Sequence, residues 1–328
     1  MEFLNLLTNN LLSPPILFFA LGITAGFLKS DLDVPDQISR YLSIYLMMAI
    51  GFKGGVAIAE TATIDTQMIL TIVAGLVTGF IQPFFGYLFL KWTTKLDNPT
   101  AAAVAAHYGS ISMVTFVTAV SFLDVSAVVY AGYIVAVLAL MEAPAILTGL
   151  FIAHRTAPET IRSTDKATSK LSREIFTNGA ILLLTGSFLV GWASGSQGME
   201  KMEGFLVAPF QGFLAFFLLD MGLLVSRQFN HLKEFTLKLV LFGIYMPLLG
   251  AAVGLGLSWM IGLDLGTGTL FTVLVASSSY IAVTAAMRLA LPEAKAAIYV
   301  PMSLAITFPF NIVIGIPLYY SIAEMILI

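Results

Sequence analysis

Ten apolar stretches alternate with shorter polar connections along the chain, at residues 11–29, 37–59, 67–91, 100–123, 125–153, 177–196, 204–226, 235–263, 267–290 and 296–324. Each is close to the roughly 20 apolar residues that a helix needs to cross a bilayer, so the pattern predicts ten membrane-spanning helices. The first follows MEFLNLLTNN, which has no Lys or Arg, and no small-residue cleavage site comes after it; it reads as a retained helix, not a signal peptide. One connection is long and polar, the segment HRTAPETIRSTDKATSKLSREIF at 154–176, and it divides the helices into five and five. The expected organisation is a first unit over 1–153, a linker over 154–176 and a second unit over 177–328.

An odd number of helices per unit means that duplicated units insert in opposite directions, as in inverted-repeat carriers. Three matches in one order favour duplication over chance likeness between apolar helices. ILFFALGITAGFLKS (16–30) resembles ILLLTGSFLVGWASG (181–195), Gly51 precedes Ser110 by 59 residues as Gly222 precedes Ser278 by 56, and Glu142-Ala143-Pro144 matches Thr307-Phe308-Pro309. The fold expected is an all-α integral membrane protein built from two inverted five-helix repeats.

Composition narrows the function classes. Soluble domains carry about a quarter charged residues; this chain of 328 has 11%, against 58% hydrophobic, which leaves no room for a soluble catalytic module. A net charge of −3 without a basic run argues against nucleic acid as a partner. The absence of cysteine excludes disulfides and thiolate chemistry, and His107, His154 and His231 are too scattered for a metal site. Neither an HExxH motif nor a Ser-His pair at useful spacing is present, so the chain does not read as an enzyme. The distribution of charge says more: of 16 Lys and Arg, fourteen fall in the loops after helices 1, 3, 5, 7 and 9, and Lys201 stands alone on the opposite side. That bias places the 154–176 loop in the cytoplasm and both termini outside the plasma (inner) membrane.

Candidate chemistry lies in the spans. Helix 4 carries His107-Tyr108-Gly109-Ser110-Ile111-Ser112 and helix 9 carries Ser277-Ser278-Ser279-Tyr280 in otherwise apolar surroundings. In a regular helix Ser110 and Ser112 point about 200° apart, whereas in an unwound segment alternate side chains share a side. Unwound backbone inside a membrane survives only when buried in protein or lining a wet cavity. The half-helix starting near Ser112 to Thr115, and its counterpart at Ser279 to Val283, would offer amides to an anion, and the preceding carbonyls would suit a cation. The alternative is that small residues allow close packing, with hydroxyls bonded one turn back; two clusters at equivalent positions favour a binding site over that reading. The substrate-binding candidates are therefore Gly109, Ser110, Ser112, Ser277, Ser278 and Ser279, with His107 read as a packed residue.

Ionisable side chains inside the spans are functional candidates because of their cost. Glu142 precedes Pro144, whose missing amide frees a carbonyl, so the two could ligate sodium, or Glu142 could make a structural hydrogen bond. Thr115, Thr307 and Asn311 join it as ion-coupling candidates. Asp220 either pairs with Lys53 or carries a proton or sodium. Lys53, between glycines in GFKGG, either snorkels to the interface or attracts an anion. Gly54, Gly55, Gly75, Gly79, Gly254 and Gly256 read as packing positions.

IGFKGGVAI, GSIS, MEAPA, DMG, VASSS and TFP occur in an order that resembles the SbtA-type sodium-dependent bicarbonate transporters, over most of both halves. The resemblance implies a gate domain from helices 1, 2, 6 and 7, a core domain from helices 3–5 and 8–10, crossed broken helices 4 and 9, and a homotrimer. It implies bicarbonate near Ser110, Ser112 and Ser277 to Ser279, sodium as coupling ion, and in some members a cytoplasmic PII-like regulator. The chain departs from the pattern at Tyr280 and Glu142, where an Asp is expected, and at Lys53, where a neutral residue is expected; an added cation suggests that Lys53 replaces a sodium ion. The expected function is secondary transport of a small anion, foremost sodium-coupled bicarbonate uptake. The alternatives are a proton- or sodium-coupled carrier of another small carboxylate, or a cation/proton antiporter built on Glu142 and Asp220.

Overall fold

A computed structural model describes residues 2–60, 65–156, 179–232, 235–280, 283–284, 286–287 and 291–328. All regular elements among them are helical: α1 (Glu2–Leu11), α2 (Pro14–Phe27), α3 (Asp36–Glu60), α4 (Thr66–Thr93), α5 (Asn98–Gly109), α6 (Met113–Val125), α7 (Ile134–Thr156), α8 (Gly179–Met202), α9 (Phe210–Leu232), α10 (Leu237–Ile261), α11 (Leu265–Ala276) and α12 (Ala296–Leu327). Seven spans are long and apolar enough to cross a membrane, counting α5 and α6 as one, and the bent pair α1–α2 makes eight. The difference from ten has two sources. α8 is broken by non-helical backbone at Gly195 (φ 56°, ψ −153°), and α11 has only 12 residues because the backbone turns extended at Ser277, with six of residues 277–290 outside the described residues. Most of the expected 154–176 linker also lies outside them; its first three residues extend α7.

Local sequence explains the helix limits. Asp65 accepts from the Met68 amide at 2.8 Å and so caps α4, supplying one partner that the first turn lacks. The fifth predicted span starts later than its apolarity suggests. Residues 126–133 form a loop in which Ala127 has a φ of 53° and the Ala131 amide donates to Thr267 Oγ1 at 2.8 Å. In α12, π turns at Met302–Thr307 and Asn311–Gly315 flank Phe308–Phe310, where Pro301, Pro309 and Pro317 each remove an amide from the ladder.

Two kinds of packing organise the bundle. α2 lies along α9 and α3 along α8, while α4, α5 and α7 pack together, as do α10, α11 and α12. The first two crossings rest on glycines. A Cβ on Gly22 would meet Leu219 O and one on Gly222 would meet Phe19 O; likewise Gly55 faces Phe188 O and Gly191 faces Phe52 O. Backbones approach this closely only where no side chain intervenes. Gly54, Gly75, Gly79 and Gly254 also sit in tight contacts, but Gly256 has nothing within 4 Å and is not a packing position.

Candidate functional site

Two short helices end on serines and meet. α5 ends at Gly109, where a Cβ would enter the Pro83 ring of α4, and Ser110 turns extended at φ −104°, ψ 165°. Ser112 is extended too, and its Oγ accepts from the Thr115 amide at 3.2 Å, starting α6. α11 stops likewise at Ala276, with Ser277 at φ −87°, ψ 172°. The two breaks are tied to each other: the Ser279 amide donates to His107 O at 2.9 Å, the Ser112 amide to Ser277 Oγ at 2.9 Å, and Ser278 Oγ to His107 O at 3.2 Å. Ser278 Oγ also shares a 2.8 Å bond with Ser303 Oγ of α12.

The approaches to the breaks follow one plan. Asp97 accepts from the Thr100 amide at 2.8 Å and Asp264 from the Thr267 amide at 2.9 Å, each aspartate thirteen positions before the first serine. Thr100 Oγ1 then accepts from the Lys295 amide before α12, as Thr267 Oγ1 accepts from the Ala131 amide before α7. Burial would push the Asp97 carboxyl up, but the bonds from Thr100 and the Lys295 ammonium 3.3 Å away hold it below the usual carboxylate range.

Around the crossing most polar groups are partnered. Thr307 Oγ1 donates to Gly243 O at 2.7 Å and accepts from Tyr108 OH at 2.6 Å. Asn311 Nδ2 donates to Ala276 O at 3.0 Å and its Oδ1 accepts from Tyr319 at 2.7 Å, while Gln82 Nε2 donates to Val275 O at 2.9 Å. Thr115 Oγ1 donates to Ser112 Oγ at 2.9 Å. His107 is the packed residue expected, with Nδ1 2.6 Å from Ala103 O and Nε2 3.0 Å from Thr284 Oγ1. Ser110 is 1% exposed and its Oγ has no hydrogen-bond partner among the described residues, as is also true of Thr269 Oγ1 on α11. A cavity of about 860 Å³ lies between α3, α9 and the breaks, walled by Ser39, Ser43, Ser112, Met113, Ser279 and Tyr280 among others. The first-turn amides of α6 have no carbonyl within the helix to accept from them. Ser112, Met113 and Val114 thus give the cavity wall the positive end of a helix dipole. Such a surface suits a small anion.

A profile of the Na+-dependent bicarbonate transporter superfamily matches residues 14–324. The chain belongs to this superfamily. No curated protein matches it. Membership makes the chain a multi-pass membrane transporter and not an enzyme, in a family whose solutes are sodium and bicarbonate.

The remaining candidates fall at different distances from the breaks of this transporter. Glu142 lies on α7 beside Pro144, but its side chain is outside the described residues. Asp220, 4% exposed on α9, accepts from Ser39 Oγ at 2.5 Å and is not paired with Lys53. Lys53 instead pairs with Asp124 Oδ2 at 3.3 Å, its ammonium 5.4 Å from the Phe210 ring centroid. Asp124 stands twelve residues along α6 from Ser112, about 18 Å of helix, so Lys53 is not the internal cation of the crossing. Lys53→Gln is accordingly expected to leave the bicarbonate KM within about twofold and to cost under about 1 kcal/mol, as for other partly exposed ion pairs; uptake kinetics and thermal unfolding measure both.

Sequence reasoning missed Gln82, Ser303, Asp124 and the two capping threonines. The Asp-x-x-Thr motif thirteen positions before each serine was the available signal for the last two.

Proposed function

We propose that the chain imports bicarbonate together with sodium across the plasma (inner) membrane by alternating access, with the anion held at the crossed breaks. The observation that carries this reading is the buried Ser110 hydroxyl, without a partner among the described residues and beside the α6 N-terminus, in a superfamily whose solutes are bicarbonate and sodium. The reading takes the chain as ten spans in two inverted repeats, 1–153 and 177–328. The reciprocal Thr100 and Thr267 bonds and the paired glycine crossings Gly22–Gly222 and Gly55–Gly191 support it. In it α2, α3, α8 and α9 are the gate, and α4 to α7 with α10 to α12 are the core. Arg40 on the cavity wall belongs to the cytoplasmic face by charge bias, so the cavity is the inward-facing vestibule. On the other face Lys53–Asp124, and Ser121 Oγ donating to Gln211 Oε1 at 2.8 Å, join core to gate. The reading extends to a homotrimer and to a PII-like partner on the cytoplasmic face.

Coupling follows from charge. Lys53 is neutralised by Asp124 and remote from the crossing, so it does not take the place of sodium there. An anion stripped of water at serine hydroxyls and helix ends needs a compensating charge, and sodium bound near it raises its affinity as it raises sodium's. This reading assigns that ion to Thr115, Thr307 and Asn311 together with Glu142, and keeps Asp220 as a second ion-coupling carboxylate. Purified protein in liposomes, given labelled bicarbonate under imposed sodium, proton and voltage gradients, tests the proposal. Uptake driven by the sodium gradient is expected; uptake indifferent to sodium removes the coupling, and no uptake under any gradient removes bicarbonate.

A further inference from the structure

Tyr280 directly follows the serines of the second break and lines the same cavity as Ser112 and Ser279. Its ring packs on Phe308 with centroids 5.7 Å apart, and its hydroxyl crosses to α9, where it donates to Met221 Sδ at 3.3 Å. That sulfur is its only hydrogen-bond partner among the described residues. A thioether is a weak acceptor, so a phenol held by it beside an anion site rests on a contact that any oxyanion would outcompete. Charge-assisted bonds are roughly twice as strong as neutral ones. The hydroxyl can also accept, which suits an anion that carries its own O–H donor, as bicarbonate does.

From this geometry we infer that Tyr280 is a further binding residue for the transported anion, its hydroxyl leaving Met221 for the bound oxyanion. The inference rests on the proposed site at the breaks. In the unloaded transporter Met221 holds the phenol out of the way; in the loaded one Tyr280 adds a donor from the second break to those of the first. The contact also spans from a break-bearing segment to α9, so a bond weak enough to yield does not lock the two together.

The test is initial-rate uptake of labelled bicarbonate by liposomes containing the full chain, comparing wild type with Tyr280→Phe, Met221→Leu and Ser110→Ala. Tyr280→Phe keeps the ring and its packing and removes one oxygen. It is expected to raise KM about tenfold, the low end of what a hydrogen bond to a charged group contributes, with kcat within twofold and thermal stability unchanged. Met221→Leu removes the competing acceptor and is expected to move KM the other way, about twofold to threefold lower. If Tyr280→Phe leaves KM unchanged, or alters only kcat, the phenol is a packing or gating group and the inference fails. Ser110→Ala separates the two levels: a raised KM there with an unaltered Tyr280→Phe removes Tyr280 alone, and unaltered KM in both removes the site itself.

Discussion

Ser110→Ala is expected to raise the bicarbonate KM at least tenfold while leaving the unloaded protein as stable as wild type or more stable. The two halves of this result have one cause. The hydroxyl is buried, has no partner among the described residues and is set where the backbone leaves the helix. An unsatisfied buried polar group costs about 1–3 kcal/mol, a cost the unloaded protein carries and which, at the proposed site, the anion would remove by accepting a hydrogen bond. Deleting the hydroxyl therefore relieves the unloaded state and withdraws about 1.5–3 kcal/mol from the loaded one. Ser278→Ala is the contrast, because Ser278 is already bonded to His107 O and Ser303 Oγ; its loss is expected to cost about 1–2 kcal/mol of stability whether or not the anion is present. Thermal unfolding with and without bicarbonate, beside uptake kinetics, distinguishes them. Equal destabilisation by both changes, with KM unmoved in Ser110→Ala, would make Ser110 another structural serine.

The broken helices were legible in the sequence because polarity in an apolar span has few physical explanations, and the extended backbone at Ser110, Ser112 and Ser277 matches that expectation. The register of the proposed duplication was not. Aligning Ser110 with Ser278 rested on a run of three serines, which slides by one without penalty. The capping pairs Asp97–Thr100 and Asp264–Thr267 do not slide, and they match Ser110 to Ser277. Other errors come from reading composition as conformation. Residues 126–133 are apolar enough to pass for helix, yet the loop is set by a long-range bond from Ala131 to Thr267, 136 residues away. The partner of Lys53 was invisible for the same reason: Asp124 is 71 residues distant, and it closes at the end of α6 a charge account that sequence alone left open. With Lys53 neutralised there, the motive for discarding sodium coupling disappears.

Gly222→Ala is expected to cost about 3 kcal/mol or more and to leave little folded protein, although it adds a single methyl group. At the α2–α9 crossing the added Cβ would meet Phe19 O, with Ile23 N at 2.8 Å and Gly22 Cα at 3.0 Å. All three are backbone atoms, so no rotamer change makes room and the helices must separate. Overpacking a core ordinarily costs about 1–3 kcal/mol because side chains give way; here the relief available is loss of the crossing. Gly22→Ala should behave alike, since its Cβ would meet Leu219 O from the other side, and combining the two should give no rescue. Gly256→Ala is the control, because nothing lies within 4 Å of that position and α10 continues through it; removing a mid-helix glycine should gain about 0.5–1 kcal/mol. Thermal unfolding and the monodisperse fraction after detergent extraction measure the pair. An unaltered melting temperature in Gly222→Ala would mean that α2 and α9 lie farther apart than this crossing requires. In that case the proposed gate would lose one of its two glycine crossings, and the proposed movement of the core against a rigid α2–α9 pair would no longer describe how the cavity opens.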